Sequence, residues 1–187
     1  MESLKQITAY AGSLAEALRA QHWGGVDQLV KTLHGVRAAR RHLYLCGNGG
    51  SAANAVHWAN DMVYPLAKTG AKPLRTTALP ANVATLTCLA NDLSYEQVFS
   101  YSLKAAAEKG DALIVLSGSG NSPNVLRALE AAREIGVTSC AIVGFDGGKA
   151  KNLADIVIHF PVHDMQIAED LQMVVCHMVM RQLCRPD

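Results

Sequence analysis

Apolar residues recur along the first forty positions at intervals of three and four. Leu4, Ile7, Ala11, Leu14 and Leu18 predict a helix over 2–20 with a narrow apolar seam. Leu29, Val30, Leu33 and Val36 predict a second over about 26–39. From His42 the texture changes to short continuous apolar runs: 42–46, 74–79, 112–116, 138–143 and 155–160 read as strands. Helical stretches over 52–63, 82–90, 95–108, 123–135 and 165–184 separate or follow them. Apolar strands alternating with helices predict a parallel sheet covered on both faces. The fold class is therefore α/β and doubly wound. Residues 1–187 read as a single domain, with 1–40 as a helical N-terminal extension.

Composition agrees and excludes several classes. The chain is 50% hydrophobic and 18% charged, which is incompatible with disorder and sufficient for a core. Seventeen basic against sixteen acidic residues leave a net charge of +1, so nothing in the charge balance favours direct nucleic-acid binding or a membrane surface. No apolar stretch approaches the ~20 residues of a membrane span. The opening residues mix Glu2, Lys5 and Gln6 among apolar positions, unlike a signal peptide. Five cysteines without a CxxC pair read as buried free thiols, which points to a reducing, cytoplasmic setting.

The chemistry gathers at strand ends. Ser117-Gly118-Ser119-Gly120-Asn121-Ser122 follows the clearest strand and precedes a helix. Glycines admit a close backbone approach, the free N–H groups of a helix start favour an anion, and three hydroxyls suit a phosphate monoester. The same residues also fit a plain helix start, with Ser122 as N-cap and Pro123 at the first helical position. Gly47-Asn48-Gly49-Gly50-Ser51 repeats the theme but lacks the lysine of a P-loop and the spacing of a dinucleotide fingerprint. Gly144 to Gly148 is a weaker third turn. His57 and Asp61 are four apart and share a helix face, a spacing equally common in surface pairs. Glu169 and His177 are eight apart, about 12 Å of helix, so spacing alone does not bring them to one centre.

Cys46-Gly47-Asn48-Gly49-Gly50-Ser51-Ala52-Ala53-Asn54-Ala55 with His57, then Ala90-Asn91-Asp92, the 117–122 loop and Gly147-Gly148-Lys149, resembles the phosphoheptose isomerases of the sugar isomerase (SIS) superfamily. The resemblance runs in order over nearly the whole chain. It implies a flavodoxin-like sheet and a homotetramer with shared active sites, built partly through the N-terminal helices. It implies conversion of sedoheptulose 7-phosphate to a heptose 7-phosphate. By position, Ser117, Gly118, Ser119 and Ser122 fall at the phosphate, and Asn48, Gly49, Gly50, Ser51, Asn91, Asp92 and Glu169 at the substrate. His57, Asp61, Glu169 and His177 match four zinc ligands, and Asp61 and His177 the acid/base pair. The chain departs from the family in having Asp61 for glutamate, Glu169 for glutamine, Gly118 for threonine and Pro65 for an arginine. Two functions follow: an isomerase of a sugar phosphate, or a non-catalytic SIS protein that binds a sugar phosphate or a replication-initiator protein. Retention of both Asp61 and His177 favours the first.

Overall fold

The computed structural model describes residues 2–184. In chain order the elements are α1 (Glu2–Ala20), α2 (Gly24–Ala38), β1 (His42–Gly47), α3 (Gly50–Lys68), β2 (Arg75–Ala78), α4 (Val83–Asp92), α5 (Val98–Ala106), β3 (Ala112–Ser117), α6 (Pro123–Ile135), β4 (Thr138–Val143), α7 (Ala150–Leu153), β5 (Ile156–His159) and α8 (Met165–Leu183). The strands form one parallel sheet in the order β2-β1-β3-β4-β5. The order reverses between β1 and β3, and such a switch point opens a crevice beyond the strands' carboxyl ends.

Strand alternation divides the core into two layers. Leu43, Leu45, Ile114, Leu116 and Ile142 face a cluster that includes Leu29, Leu33, Trp58, Met62, Leu171 and Val175 from α2, α3 and α8. Tyr44, Cys46, Leu113, Val115, Ala141 and Val143 face Val98, Phe99, Leu103, Val125 and Leu129 from α5 and α6. The helix α2 is thus part of the core, whereas α1 buries no residue and leaves Leu4 and Ile7 exposed. No helix among the described residues is long and apolar enough to cross a membrane.

Local chemistry sets the helix ends. Pro123 opens α6 and Gly136, in the left-handed region at φ 84°, closes it. The Asp164 carboxylate accepts from Ile167 N at 3.0 Å to start α8, and the Asn82 side chain accepts from Thr85 N at 3.1 Å to start α4. The pattern predicts α3 over 52–63, but it begins at Gly50 and continues through Pro65 to Lys68. Pro65 has no N–H to donate to Asp61 O and so removes one bond of the ladder, but the last turn is held because Leu66 is fully buried. Met62 O also accepts from Leu74 N at 2.9 Å, tying this stretch to the approach of β2.

Candidate active site

Residues after β1 and β3 meet at the switch point because Gly47 is paired with Leu116 in the sheet register. An amide pair binds the two segments. Asn48 Nδ2 donates to Asn124 Oδ1 and Asn124 Nδ2 donates to Asn48 Oδ1, both at 2.9 Å. The Tyr95 hydroxyl donates to Asn48 Oδ1 at 2.9 Å as well. Asn48 therefore keeps one amide N–H for a ligand, and its carbonyl is fully engaged.

The loop 117–122 is a preformed cradle. Ser117 Oγ accepts from Gly120 N at 3.0 Å, and Ser119 Oγ accepts from Asn121 N at 3.3 Å. Asn121 Oδ1 accepts from Lys149 N at 3.0 Å, and Gly120 O accepts from Ala150 N at 3.0 Å. Gly148 (φ 53°) lies so close that a Cβ there would sit 2.5 Å from Ser119 O and 2.6 Å from Gly120 C. The third glycine-rich turn is thus the buttress of the second. Ser122 occupies the N-cap position of α6, yet its side chain makes no capping hydrogen bond. The segment is a helix start with a hydroxyl left over at an end that favours anions. At Gly118 the space a side chain would take is filled by the Met165 thioether.

Twelve positions after Gly49 on α3 comes Asp61, only 7% exposed. Its Oδ1 accepts from Asn60 Nδ2 at 3.2 Å. Its Oδ2 lies 3.4 Å from His57 Nε2 and 3.7 Å from His177 Nε2. The two imidazole Nε2 atoms are 3.4 Å apart, with the rings edge-to-face at 67°. Two ring nitrogens converging on one carboxylate oxygen need a proton or a cation among them. Two imidazoles and a carboxylate form a donor set that suits zinc. A tetrahedral ion with bonds of about 2.1 Å puts its ligands about 3.4 Å apart, close to all three separations here. The negative charge of Asp61 also adds to burial in pushing the Cys176 thiol up.

Residues 7–144 match the SIS domain model. A phosphoheptose isomerase of Mycobacterium tuberculosis is 41% identical over 149 residues, 80% of this chain and 75% of that one. One of Helicobacter pylori is 37% identical over 166 residues, 88% and 83% of the two chains. The structure of a phosphoheptose isomerase from Francisella tularensis superposes with a TM-score of 0.90 at 26% identity, covering 98% of both chains. The chain belongs to the phosphoheptose isomerase family of SIS-domain proteins.

Other residues matched to the family pattern fall in different surroundings. Glu169 does not join His57, Asp61 and His177, the one group of this kind among the described residues, whose ligand atoms lie within 4.8 Å of one another. Its carboxylate lies instead against Gly50 at the head of α3, where a Cβ would collide with it. Ser51 is buried, and its Oγ accepts from Gln172 Nε2 at 3.0 Å, so the side chain braces α3 against α8. Asn91 and Asp92 are exposed at the end of α4 and bonded to each other at 2.7 Å. Cys88 donates to Asp92 Oδ2 at 3.4 Å, and the two donors hold the Asp92 carboxyl below its usual range.

Three residues of this family member escaped the sequence reading: Asn124, Tyr95 and Gln172. Gln172 is the most telling. Its Oε1 accepts from Asn54 Nδ2 at 2.9 Å while its Nε2 holds Ser51, and its backbone O accepts from Trp58 Nε1 at 3.4 Å. A glutamine between Leu171 and Val175 on an apolar helix face is the signal that marks it.

Proposed function

We propose that this chain is an aldose–ketose isomerase of a sugar phosphate, and that it converts sedoheptulose 7-phosphate to D-glycero-D-manno-heptose 7-phosphate. The observation that carries the reading is Asp61 Oδ2 set between His57 and His177, at 3.4 and 3.7 Å, on α3 and α8. Turning a ketose into an aldose moves one hydrogen from C1 to C2 and one proton from O1 to O2. Asp61 removes the C1 proton to give an enediol and returns it at C2, and His177 carries the proton between the oxygens. Ser117, Ser119 and Ser122 hold the phosphate; Asn48, Gly49, Gly50, Asn91 and Asp92 meet the sugar.

His57, Asp61 and His177 would hold zinc in this reading, with Glu169 completing the set by turning away from Gly50. When bound, zinc polarises the carbonyl and offsets the charge of the enediolate. The two histidine side chains are half exposed, Val56, Val63 and Tyr64 of α3 are exposed, and so are Leu4 and Ile7 of α1. Apolar surface of this extent supports a homotetramer with sites shared between subunits. Five free cysteines support a cytoplasmic setting.

The test is turnover of sedoheptulose 7-phosphate, with and without added zinc, by the native protein and by Asp61→Asn and His177→Ala. We expect turnover in the native protein and losses of roughly 10²–10⁴-fold in each variant. A native protein that binds the sugar phosphate without turning it over would overturn the catalytic reading in favour of a sensor or partner-binding protein. Metal content and light scattering check the zinc and the tetramer.

A further inference from the structure

At the opposite end of the sheet from the site, the amino-terminal ends of β1 and β2 border a cavity of about 240 Å³. It is lined by Arg37, Arg40, Arg41, Lys72 and Arg75 around Pro73 and Leu74. Five cationic side chains thus border one recess in a chain whose net charge is only +1. We propose that this recess is a binding site for a small anion carrying two or more phosphate charges, separate from the strand-end cradle.

Arg37 is already engaged, its Nη1 donating to Leu183 O at 2.8 Å and its Nη2 lying 3.0 Å from His34 Nδ1, and nearby acids do not account for Arg40, Lys72 and Arg75. Glu108 pairs with Arg41 at 2.8 Å from the outside. Asp111 is buried and accepts the backbone N–H groups of His42 and Glu108, each at 2.9 Å. Among the described residues no carboxylate is paired with Arg40, Lys72 or Arg75. The C-terminus of α2 does not require Arg40 either, because Ala39 N, Arg40 N and Arg41 N already close its last carbonyls at 2.8–3.1 Å.

Arg40 also stands where a different residue is expected. Its φ of 54° is in the left-handed region, the place after a helix end that favours glycine. A cationic side chain has been placed there against the backbone's preference, and strained positions of this kind collect at binding sites. Arg75 Nη1 donates to Arg40 O at 3.1 Å, which draws the start of β2 onto the same turn. Planar guanidinium forks take phosphate oxygens in pairs, and Lys72 adds a mobile point charge. The apolar floor of Pro73 and Leu74 excludes water from beneath such a ligand.

The probe is inorganic pyrophosphate, titrated calorimetrically into the native protein at physiological salt. The comparison variants are Arg40→Gly/Lys72→Gln, which removes two cations while relaxing the left-handed turn, and Ser119→Ala/Ser122→Ala, which strips hydroxyls from the cradle. Saturable binding is expected to persist in the serine variant, whose cradle is disabled, and to weaken at least about tenfold when Arg40→Gly/Lys72→Gln is added to it. The proposal is overturned by an absence of saturable binding to the serine variant, or by binding to it that Arg40→Gly/Lys72→Gln does not diminish. Melting of the Arg40→Gly/Lys72→Gln variant at or above the native temperature shows that weaker binding is not unfolding.

Discussion

Replacing Gln172 with leucine keeps most of the side chain's volume and removes its polar head from the junction of α3 and α8. In the native chain no buried side-chain nitrogen or oxygen among the described residues lacks a hydrogen-bond partner. The substitution creates one. Ser51 is 3% exposed and loses the donor that reaches its Oγ at 3.0 Å. A buried polar group left unpaired costs about 1–3 kcal/mol. Asn54 loses the Gln172 acceptor at 2.9 Å but is partly exposed and keeps Glu169 O at 3.0 Å, so its share is about 0.5–1 kcal/mol. The sum is roughly 2–4 kcal/mol, or a fall in Tm on the order of 10 °C for a chain of this length. Urea unfolding at fixed protein concentration measures it. Adding Ser51→Ala to Gln172→Leu removes the stranded hydroxyl and should recover about 1–2 kcal/mol. Gln172→Leu within about 0.5 kcal/mol of the native protein, or strict additivity of the two changes, would refute the argument.

Gly148→Ala puts a methyl group against Ser119 O and Gly120 at a φ of 53°, so the cradle must shift; KM for the sugar phosphate should rise about tenfold or more, with a smaller change in kcat, by steady-state kinetics. Gly50→Ala meets only the mobile end of Glu169, so Tm should stay within a few degrees while metal affinity changes, as read by equilibrium dialysis. Burial pushes the Cys46, Cys140 and Cys176 thiols far up, while Cys88 is exposed; a thiol reagent near neutral pH should modify Cys88 first and reach those three only on unfolding. The Tyr10 hydroxyl donates to Asp170 Oδ2 at 2.5 Å, which raises its pKa to about 12. The stabilising bond is therefore complete below pH 10, the ordinary value, and is lost as pH rises through about 12. Burial also pushes the Tyr44 hydroxyl up, so ultraviolet titration should find two late tyrosines, of which one disappears in Tyr10→Phe.

Much of the fold was legible because burial on both faces writes strands as unbroken apolar runs. Thr138–Val143 and Pro123–Ile135 agree with the pattern to the residue, since proline and glycine punctuate one and a switch of period the other. The end of α3 was not legible, because Pro65 is a stop signal that the burial of Leu66 overrides. The one-turn α7 carries too few residues to show a period. At the site, the i, i+4 pair His57 and Asp61 was visible, whereas His177 joins them only through the packing of α8 on α3, which no spacing along one helix reveals. Glu169 shows the converse. It shares a helix with His177, yet its carboxylate is at the far end of α3, beside Gly50.

The amide pair at the switch point bears on how the protein ages. Asn48 is followed by Gly49, the dipeptide most prone to lose ammonia when the next backbone nitrogen attacks the side-chain carbonyl. In the folded chain that carbonyl is held by Asn124 and Tyr95, each at 2.9 Å, which keeps the amide turned toward them. Once unfolded, the restraint is gone. An aspartate formed there would return to the fold as an acceptor facing the acceptor Asn124 Oδ1, so the fold shields the very residue that joins its two strand-end segments.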